Sequence, residues 1–256
     1  MIVSNPNTSR TALRALSVLE LMAEAGGPVT VADIAEGIGA DRSTAYRMLL
    51  TLAEAGYVLR EASGRRYRLG YRLLSLSRSL LREGERSSLI LACLDRVARE
   101  TRETAHFSVL DRDAAVLVYR ARGTQLVAVD FQIGDRSPLH CTSIGKVLLA
   151  FNGPDLFERT VATGLPRVAP NTITDPARLA AEIARVREAG YAYDDLEFAE
   201  DMRCVAVPLF EKGGIVVGGM SLSGPASRYS IEKLDELRAI LLVASQDLSR
   251  QLLGLP

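Results

Sequence analysis

The chain has 256 residues, 48% apolar and 24% charged, and its 31 basic side chains balance 31 acidic ones to a formal net charge of zero. That length is on the order of two domains of ordinary soluble composition. No run of ~18 apolar residues could span a membrane, and MIVSNPNTSRTALR at the start lacks the apolar core of a signal peptide, so a cytoplasmic protein is expected. Cys93, Cys141 and Cys204 are odd in number and far apart, and only His106 and His140 accompany them, so no disulfide framework, metal site or cofactor is expected.

Residues 1–9, rich in Ser, Asn and Thr, read as a flexible arm. From Arg10 to about Ala25, Leu13, Leu16, Leu19 and Met22 recur every third residue and predict a helix closed by Gly26-Gly27-Pro28. Thr30, with Asp33 three residues on, has the pattern of a capping box, and Ile34, Ala35 and Ile38 supply the buried stripe of a short helix broken by Gly37 and Gly39. Asp41 or Ser43 starts a second helix, whose Ala45, Met48, Leu49 and Leu52 must face a core. Its outward positions are then Arg42, Ser43, Thr44, Tyr46, Arg47 and Thr51, residue types that fork onto guanine or reach phosphates in a major groove. A solvated helix face would look similar, but the next residues separate the two readings. Tyr57-Val58-Leu59 and Arg65 to Leu69 flank an Ala62-Ser63-Gly64 turn as a hairpin carrying Arg65, Arg66 and Arg68. Between Asp41 and Arg72 seven arginines face only Asp41, Glu54 and Glu61, a basic patch on a chain of zero net charge. Residues 10–70 therefore read as a winged helix-turn-helix that binds double-stranded DNA.

A linker helix is expected over 71–85, with Leu73, Leu76 and Leu80 on one side and Leu74 and Leu81 beside them. Such a lone amphipathic helix has to be covered, by its own domain or by a second subunit. Residues 86–256 alternate helices and strands. Ser87 to Thr101 is helical, with Leu91, Leu94, Val97 and Ala98 inward; Ala105 to Leu110 and Ala115 to Arg120 form a hairpin; and Gln125 to Ile133 adds a strand. Pro138 holds an extended approach to a helix capped by Thr142 or Ser143 and running to Ala150. A helix N-terminus favours an anion, although capping alone also accounts for these hydroxyls. A helix from Asp175-Pro176 to Gly190, strands over Arg203 to Pro208 and Ile215 to Ser223, and a terminal helix from Ser230 to about Leu253 complete the chain. Leu179, Ile183, Val186 and Ala189 are read as inward on the first of these helices, and Ile231, Leu234, Leu237, Leu241 and Leu248 on the last.

Three chance matches fail on mechanism, and no catalytic residue is assigned. Ser143-Ile144-Gly145-Lys146 fits Ser-x-x-Lys but lacks the Ser-Asp-Asn and Lys-Thr-Gly partners of an acylation site. Gly145-Lys146 ends like a phosphate-binding loop, yet Val147 occupies the hydroxyl position and His140 the first glycine position. Cys141 beside His140 is a sequence neighbour rather than a positioned nucleophile and base.

The blocks Arg14-Ala15-Leu16-Ser17-Val18-Leu19, Ser43-Thr44-Ala45-Tyr46-Arg47-Met48-Leu49, Ala55-Gly56-Tyr57-Val58, Tyr67-Arg68-Leu69-Gly70, Gly134 to Ala150 and Gly190 to Glu197 resemble the IclR family of bacterial transcriptional regulators over nearly the whole chain. The resemblance implies an α+β protein: a winged helix-turn-helix, a linker helix and a GAF-like α/β effector-binding domain. It implies a cytoplasmic regulator, in the repressor sense, that reads an inverted-repeat operator as a homodimer or a dimer of dimers (a tetramer). Its effector would be a small organic or aromatic acid. Carried over position by position, the pocket would comprise Ser143, Ile144, Asp194, Cys204, Ser221 and Ser223. Ser221 and Ser223 fall on one side of their strand, Met220 and Leu222 on the other. Asp194 would have to accept from a ligand hydroxyl or stay clear of the anion. Asp201 and Val147 depart from the family pattern of glycine and alanine, and Asp201 implies a different loop before the pocket strand. The alternatives from other classes are an enzyme acting on a small carboxylate in this pocket and a DNA-binding protein with no ligand.

Overall fold

The computed structural model describes residues 8–81 and 84–253. The chain divides between Glu83 and Gly84 into two compact units.

In the first unit, α1 (Arg10–Glu24) is followed by β1 (Val29–Thr30), α2 (Val31–Gly37), α3 (Arg42–Glu54), β2 (Val58–Arg60), β3 (Arg66–Leu69) and α4 (Arg72–Leu81). The capping box is made: the Thr30 side chain accepts from the Asp33 N–H, and Asp33 accepts from the Thr30 N–H at 2.8 Å. Gly39, with φ of +61°, turns the chain toward α3, while Gly37 remains helical. Asp41 caps α3. Val18, Met22, Ile34, Ala45, Leu49, Val58 and Tyr67 form one core under a sheet of order β1-β3-β2.

The stripe expected on α1 is buried only in part: Met22 is in the core and Leu19 packs against it, while Leu13 is half-buried. Val18 and Met22 face the core, and Leu16 is 56% exposed. A strict three-residue repeat drifts around a helix of 3.6 residues per turn and does not hold one face over its three steps. On α4, Leu73 is half-buried and Leu74 and Leu76 are exposed. The Leu80 and Leu81 side chains of the expected stripe lie outside the described residues, as does the 1–7 stretch of the arm. Of the linker expected over 71–85, α4 covers Arg72–Leu81 and Gly84 and Glu85 lie in the next described helix; residues 82–83 lie outside the described residues.

The second unit runs α5 (Gly84–Thr101), β4 (Ala105–Asp111), β5 (Ala114–Ala121), β6 (Arg136–Pro138), α6 (Ser143–Phe151), α7 (Pro154–Ala162), α8 (Pro176–Ala189), β7 (Ala192–Asp195), β8 (Met202–Glu211), β9 (Ile215–Pro225) and α9 (Ile231–Leu252). Its six strands pair antiparallel in the order β6-β5-β4-β9-β8-β7. One face carries Phe107, Val205, Val207, Met220 and Leu222 into a core with α5 and α9. The opposite face receives α6 and α8 through Ile144, Val147, Leu148, Leu179 and Ile183. Leu91, Ala189 and Ile231, read as inward, stand exposed.

The strand expected over Gln125 to Ile133 does not form. Val127 and Ile133 are 65% and 54% exposed, so their alternation faces solvent rather than a core. Arginine bonds replace a ladder: Arg120 bridges to Asp130 at 2.8 Å and also donates to the Phe131 carbonyl, and Arg122 reaches Asp130. The pairing with β5 is taken by β6 instead, at Ala114 with Pro138.

Candidate functional site

Two sites were expected, one in each unit. The first is the outer face of α3 with the β2–β3 hairpin. Arg42, Ser43, Tyr46, Arg47 and Thr51 are exposed while Ala45 and Leu49 are fully buried, the amphipathic split that the spacing predicts. Thr44 and Thr51 are tied to the helix itself. The Thr44 hydroxyl donates to Asp41 at 2.7 Å, and that of Thr51 donates back to the Arg47 carbonyl at 3.0 Å. On β3, Arg66 and Arg68 are exposed on either side of buried Tyr67, and Arg65 is exposed at the hairpin turn. The hairpin is stiffened by Arg60, which donates to the Gly64 carbonyl at 2.8 Å and lies over Tyr67. Arg68 stacks on Tyr71. What results is a row of cations on a helix and a hairpin held in place by the unit's own core.

The second site is a cavity between the start of α6 and the sheet. Thr142 caps α6, accepting from the Gly145 N–H at 3.0 Å and donating to the Pro138 carbonyl at 2.7 Å. The first N–H groups of a helix have no intrahelical partner, so those of Ser143 and Ile144 are available to an acceptor in the cavity. Two glycines permit this approach. A Cβ on Gly145 would sit 2.6 Å from the Leu139 carbonyl oxygen, and one on Gly219 of β9 would sit 2.6 Å from Ile144 Cδ1.

The floor comes from strand register. Asp194, Cys204 and Ser223 lie side by side across β7, β8 and β9, and Ser221 lies beside His106 across β9 and β4. Alternation along each strand puts these side chains on the α6 face, with Met220 and Leu222 in the opposite core. All six positions singled out from the sequence, Ser143, Ile144, Asp194, Cys204, Ser221 and Ser223, line this cavity. So do residues that the sequence did not single out: His106 and Ser108 on β4, Leu117 on β5, Met202 on β8, and Phe131, Asp135 and Ser137 from the 122–137 segment. Leu117 arrives through a bulge. The register skips between Phe107/Tyr119 and Ser108/Leu117, which turns the odd residues of β5 from the α5 face to the α6 face. The signal that could have found His106 and Ser108 is their spacing, two polar residues two apart within the apolar stretch Ala105 to Leu110. The cavity volume is about 30 Å³, room for a water or two.

Burial dominates the electrostatics around the cavity. Burial raises the Asp194 carboxyl to about 7, with the Glu197 charge adding to the effect, while N–H donation from Glu197 and Phe198 and the Lys146 charge oppose it. Asp194 Oδ1 accepts from the Glu197 N–H at 2.8 Å and the Phe198 N–H at 3.2 Å; Oδ2 meets no partner among the described residues. Burial also raises the Cys204 thiol well above its usual value and Cys141 to about 12. Behind α6, the fully buried Lys146 bonds Glu197 at 2.5 Å and Glu182 at 3.2 Å. Burial raises Glu197 despite this contact, whereas for Glu182 the Arg185 fork and Lys146 outweigh burial and hold the carboxyl low.

The remaining sequence features have structural roles. His140 Nε2 lies 3.0 Å from the Pro166 carbonyl, anchoring a loop away from Cys141 chemistry. Asp201 lies outside the left-handed region, so no glycine is required there, and its carbonyl accepts from Ala226 at 2.6 Å. Among the described residues no cluster of His, Cys, Asp and Glu could hold a metal, and no helix is long and apolar enough to cross a membrane.

Comparison with known proteins bears on both sites. Residues 87–250 match the model of the bacterial transcriptional regulator IclR C-terminal domain, and residues 11–62 that of the IclR helix-turn-helix domain. The HTH-type transcriptional regulator KdgR of Escherichia coli is 31% identical, covering 96% of this chain and 94% of that protein. The acetate operon repressor of Salmonella typhimurium is 28% identical over 92% of this chain and 87% of its own length. Among solved structures, an IclR homologue from Microbacterium hydrocarbonoxydans complexed with 4-hydroxybenzoate superposes with a TM-score of 0.77 at 28% identity, over 93% of this chain and 98% of that one. Matched in each unit by a domain model and along most of its length by regulators of the same organisation, the chain belongs to the IclR family of bacterial transcriptional regulators, with a DNA-binding helix-turn-helix unit and a C-terminal effector-binding domain.

Proposed function

We propose that this chain is a cytoplasmic repressor whose operator affinity is set by a small organic or aromatic acid held in the α6 cavity. The observation that carries the reading is the convergence there of a helix N-terminus with the hydroxyls of Ser221 and Ser223 on one strand face. In this reading the ligand carboxylate takes the N–H groups of Ser143 and Ile144 and the two hydroxyls. Asp194, with its proton retained toward pH 7, donates instead of repelling, which removes the conflict its charge would otherwise create. Cys204 and Ile144 supply apolar wall. The acid class is suggested by the relative bound to 4-hydroxybenzoate, and the repressor sense by the relative named for the acetate operon.

On the DNA side, Arg42, Ser43, Tyr46 and Arg47 enter the major groove, with Arg65, Arg66 and Arg68 of the wing on the backbone. Thr44 and Thr51, whose hydroxyls serve the helix, contribute position and shape. Exposed Leu74 and Leu76 on α4, together with exposed Leu16, support a homodimer or dimer of dimers on an inverted repeat. The domain limits follow as 10–70 for the reading head, 71–85 for the linker and 86–256 for the sensor. Catalysis is not part of the reading, because the thiols nearest the cavity are held protonated, which leaves them poor nucleophiles.

Thermal shift of the full chain against a panel of small organic acids tests the proposal. A ligand at a hundredfold its dissociation constant adds about 2.7 kcal/mol of stability. A flat panel would leave a DNA-binding protein without a ligand, and turnover of any member would restore the enzyme reading.

A further inference from the structure

His106 is fully buried, with an accessibility of 2%, at the centre of the sheet. Neither of its ring nitrogens closes a hydrogen bond with any described residue; the Ser221 backbone lies near the ring without completing one. The imidazole lines the cavity, beside Ser221 in register and on the same strand face as Ser108. Phe131 meets it edge-on at 5.8 Å and 76°, closing it from solvent. A buried donor and acceptor pair left unmatched is costly unless something in the cavity meets it. Desolvation lowers its pKa to about 4, helped by the Arg120 charge, so at neutral pH the ring offers one donor and one acceptor.

We infer that His106 recognises a second polar group of the effector, a hydroxyl or oxo group carried beside the carboxylate, so that the cavity selects hydroxy or oxo acids over the unsubstituted acids of the same skeleton. This rests on the reading of the cavity as an acid site. The carboxylate end is provided for by α6 and the paired serines, and His106 lies one strand beyond Ser221, where a second group on a compact acid would come within reach of the ring. Hydrogen-bonding sites discriminate strongly because the analogue that lacks the group leaves buried polar atoms unmet.

The test is calorimetric titration of the full chain and of H106F and H106Q with two matched pairs: 4-hydroxybenzoate against benzoate, and glycolate against acetate. In at least one pair the parent is expected to bind the hydroxylated member tenfold or more tightly. H106F should lose about tenfold for that member and leave the unsubstituted acid within threefold, and H106Q, which keeps a donor and an acceptor, should restore most of the preference. H106F should melt at or above the parent, since no hydrogen bond to the protein is removed. Equal loss for both members would put the carboxylate itself at the imidazole and overturn the inference. Unchanged binding of both by H106F would overturn it alone, leaving the acid site standing. No binding of any of the four acids by the parent would overturn the acid reading and the His106 assignment together.

Discussion

Asp194→Asn isolates the most perturbed carboxyl of the cavity. Asp194 releases its proton near 3.8 when unfolded and near 7 when folded, chiefly because it is fully buried. Between those values the native state binds more protons than the unfolded state, so stability falls as pH rises through the window and levels off above about 7. Three pH units at about 1.4 kcal/mol each set a ceiling of about 4 kcal/mol on the loss. Asparagine cannot titrate, yet its carbonyl keeps accepting from the Glu197 and Phe198 N–H groups, and its amide replaces an Oδ2 that no described residue meets. The variant should therefore match the parent near pH 4 and exceed it increasingly toward pH 8, by a few kcal/mol. Glu197 is also raised, but it is present in both proteins and largely cancels from the difference. Scanning calorimetry of the full chain from pH 4 to 8, following the transition of the C-terminal unit, gives this difference directly. A parent-to-variant gap that does not change with pH, or a variant less stable at pH 8, would show that Asp194 is ionised in the fold and supported by Lys146.

Arg47→Ala should weaken specific operator binding by about 1–3 kcal/mol, whereas Arg65→Ala should weaken all sequences alike and reduce the salt slope by about one; parent-like binding by both at matched salt would displace α3 as the reading helix. Leu74→Glu with Leu76→Glu should dissociate the assembly and cut operator affinity while leaving the core of the N-terminal unit intact, and sedimentation that shows an unchanged oligomer would move the interface elsewhere. Removing the hydroxyls of Ser221 and Ser223 together should cost about 1–3 kcal/mol of affinity for an acid effector and spare operator binding without it; full ligand affinity in the double alanine variant would place the carboxylate elsewhere.

The parts of the fold legible in the sequence were those fixed by local chemistry. Thr30 with Asp33, Asp41 before α3, Thr142 before α6 and Pro176 after Asp175 each specify a cap without reference to distant residues, and each lies where its type predicts. Alternation on β9 likewise assigned Ser221 and Ser223 to one face. What escaped depended on partners. Gln125 to Ile133 carries strand-like apolar residues, but Arg120 and Arg122 draw its carboxylate and carbonyl into a loop, a long-range interaction that no local pattern encodes. Leu117 enters the cavity only because the bulge reverses its strand's parity, and His106 only because β4 pairs with β9. The short β7 depends in the same way on its pairing with β8, whereas α7 carries a local signal that went unread, Pro154 at its first position.

If the α6 cavity is the acid site proposed above, the charge arrangement around α6 decides how an anion is met there. Lys146 points away from the cavity mouth into Glu182 and Glu197, so its charge is already answered by carboxylates and is not a free counter-ion for a ligand. The positive potential at the mouth must then come from the helix dipole and the N–H groups of Ser143 and Ile144, supplemented by hydroxyl donors and by a protonated Asp194. Each of these donors is fixed by the register of β7, β8 and β9 or by the Thr142 cap, so little reorganisation accompanies binding on that side. On the other side, the Phe131 segment is held by Arg120 and Arg122 through Asp130. In the proposed reading, the differential affinity of a ligand for the DNA-bound and DNA-free states sets the largest change it can impose on operator binding.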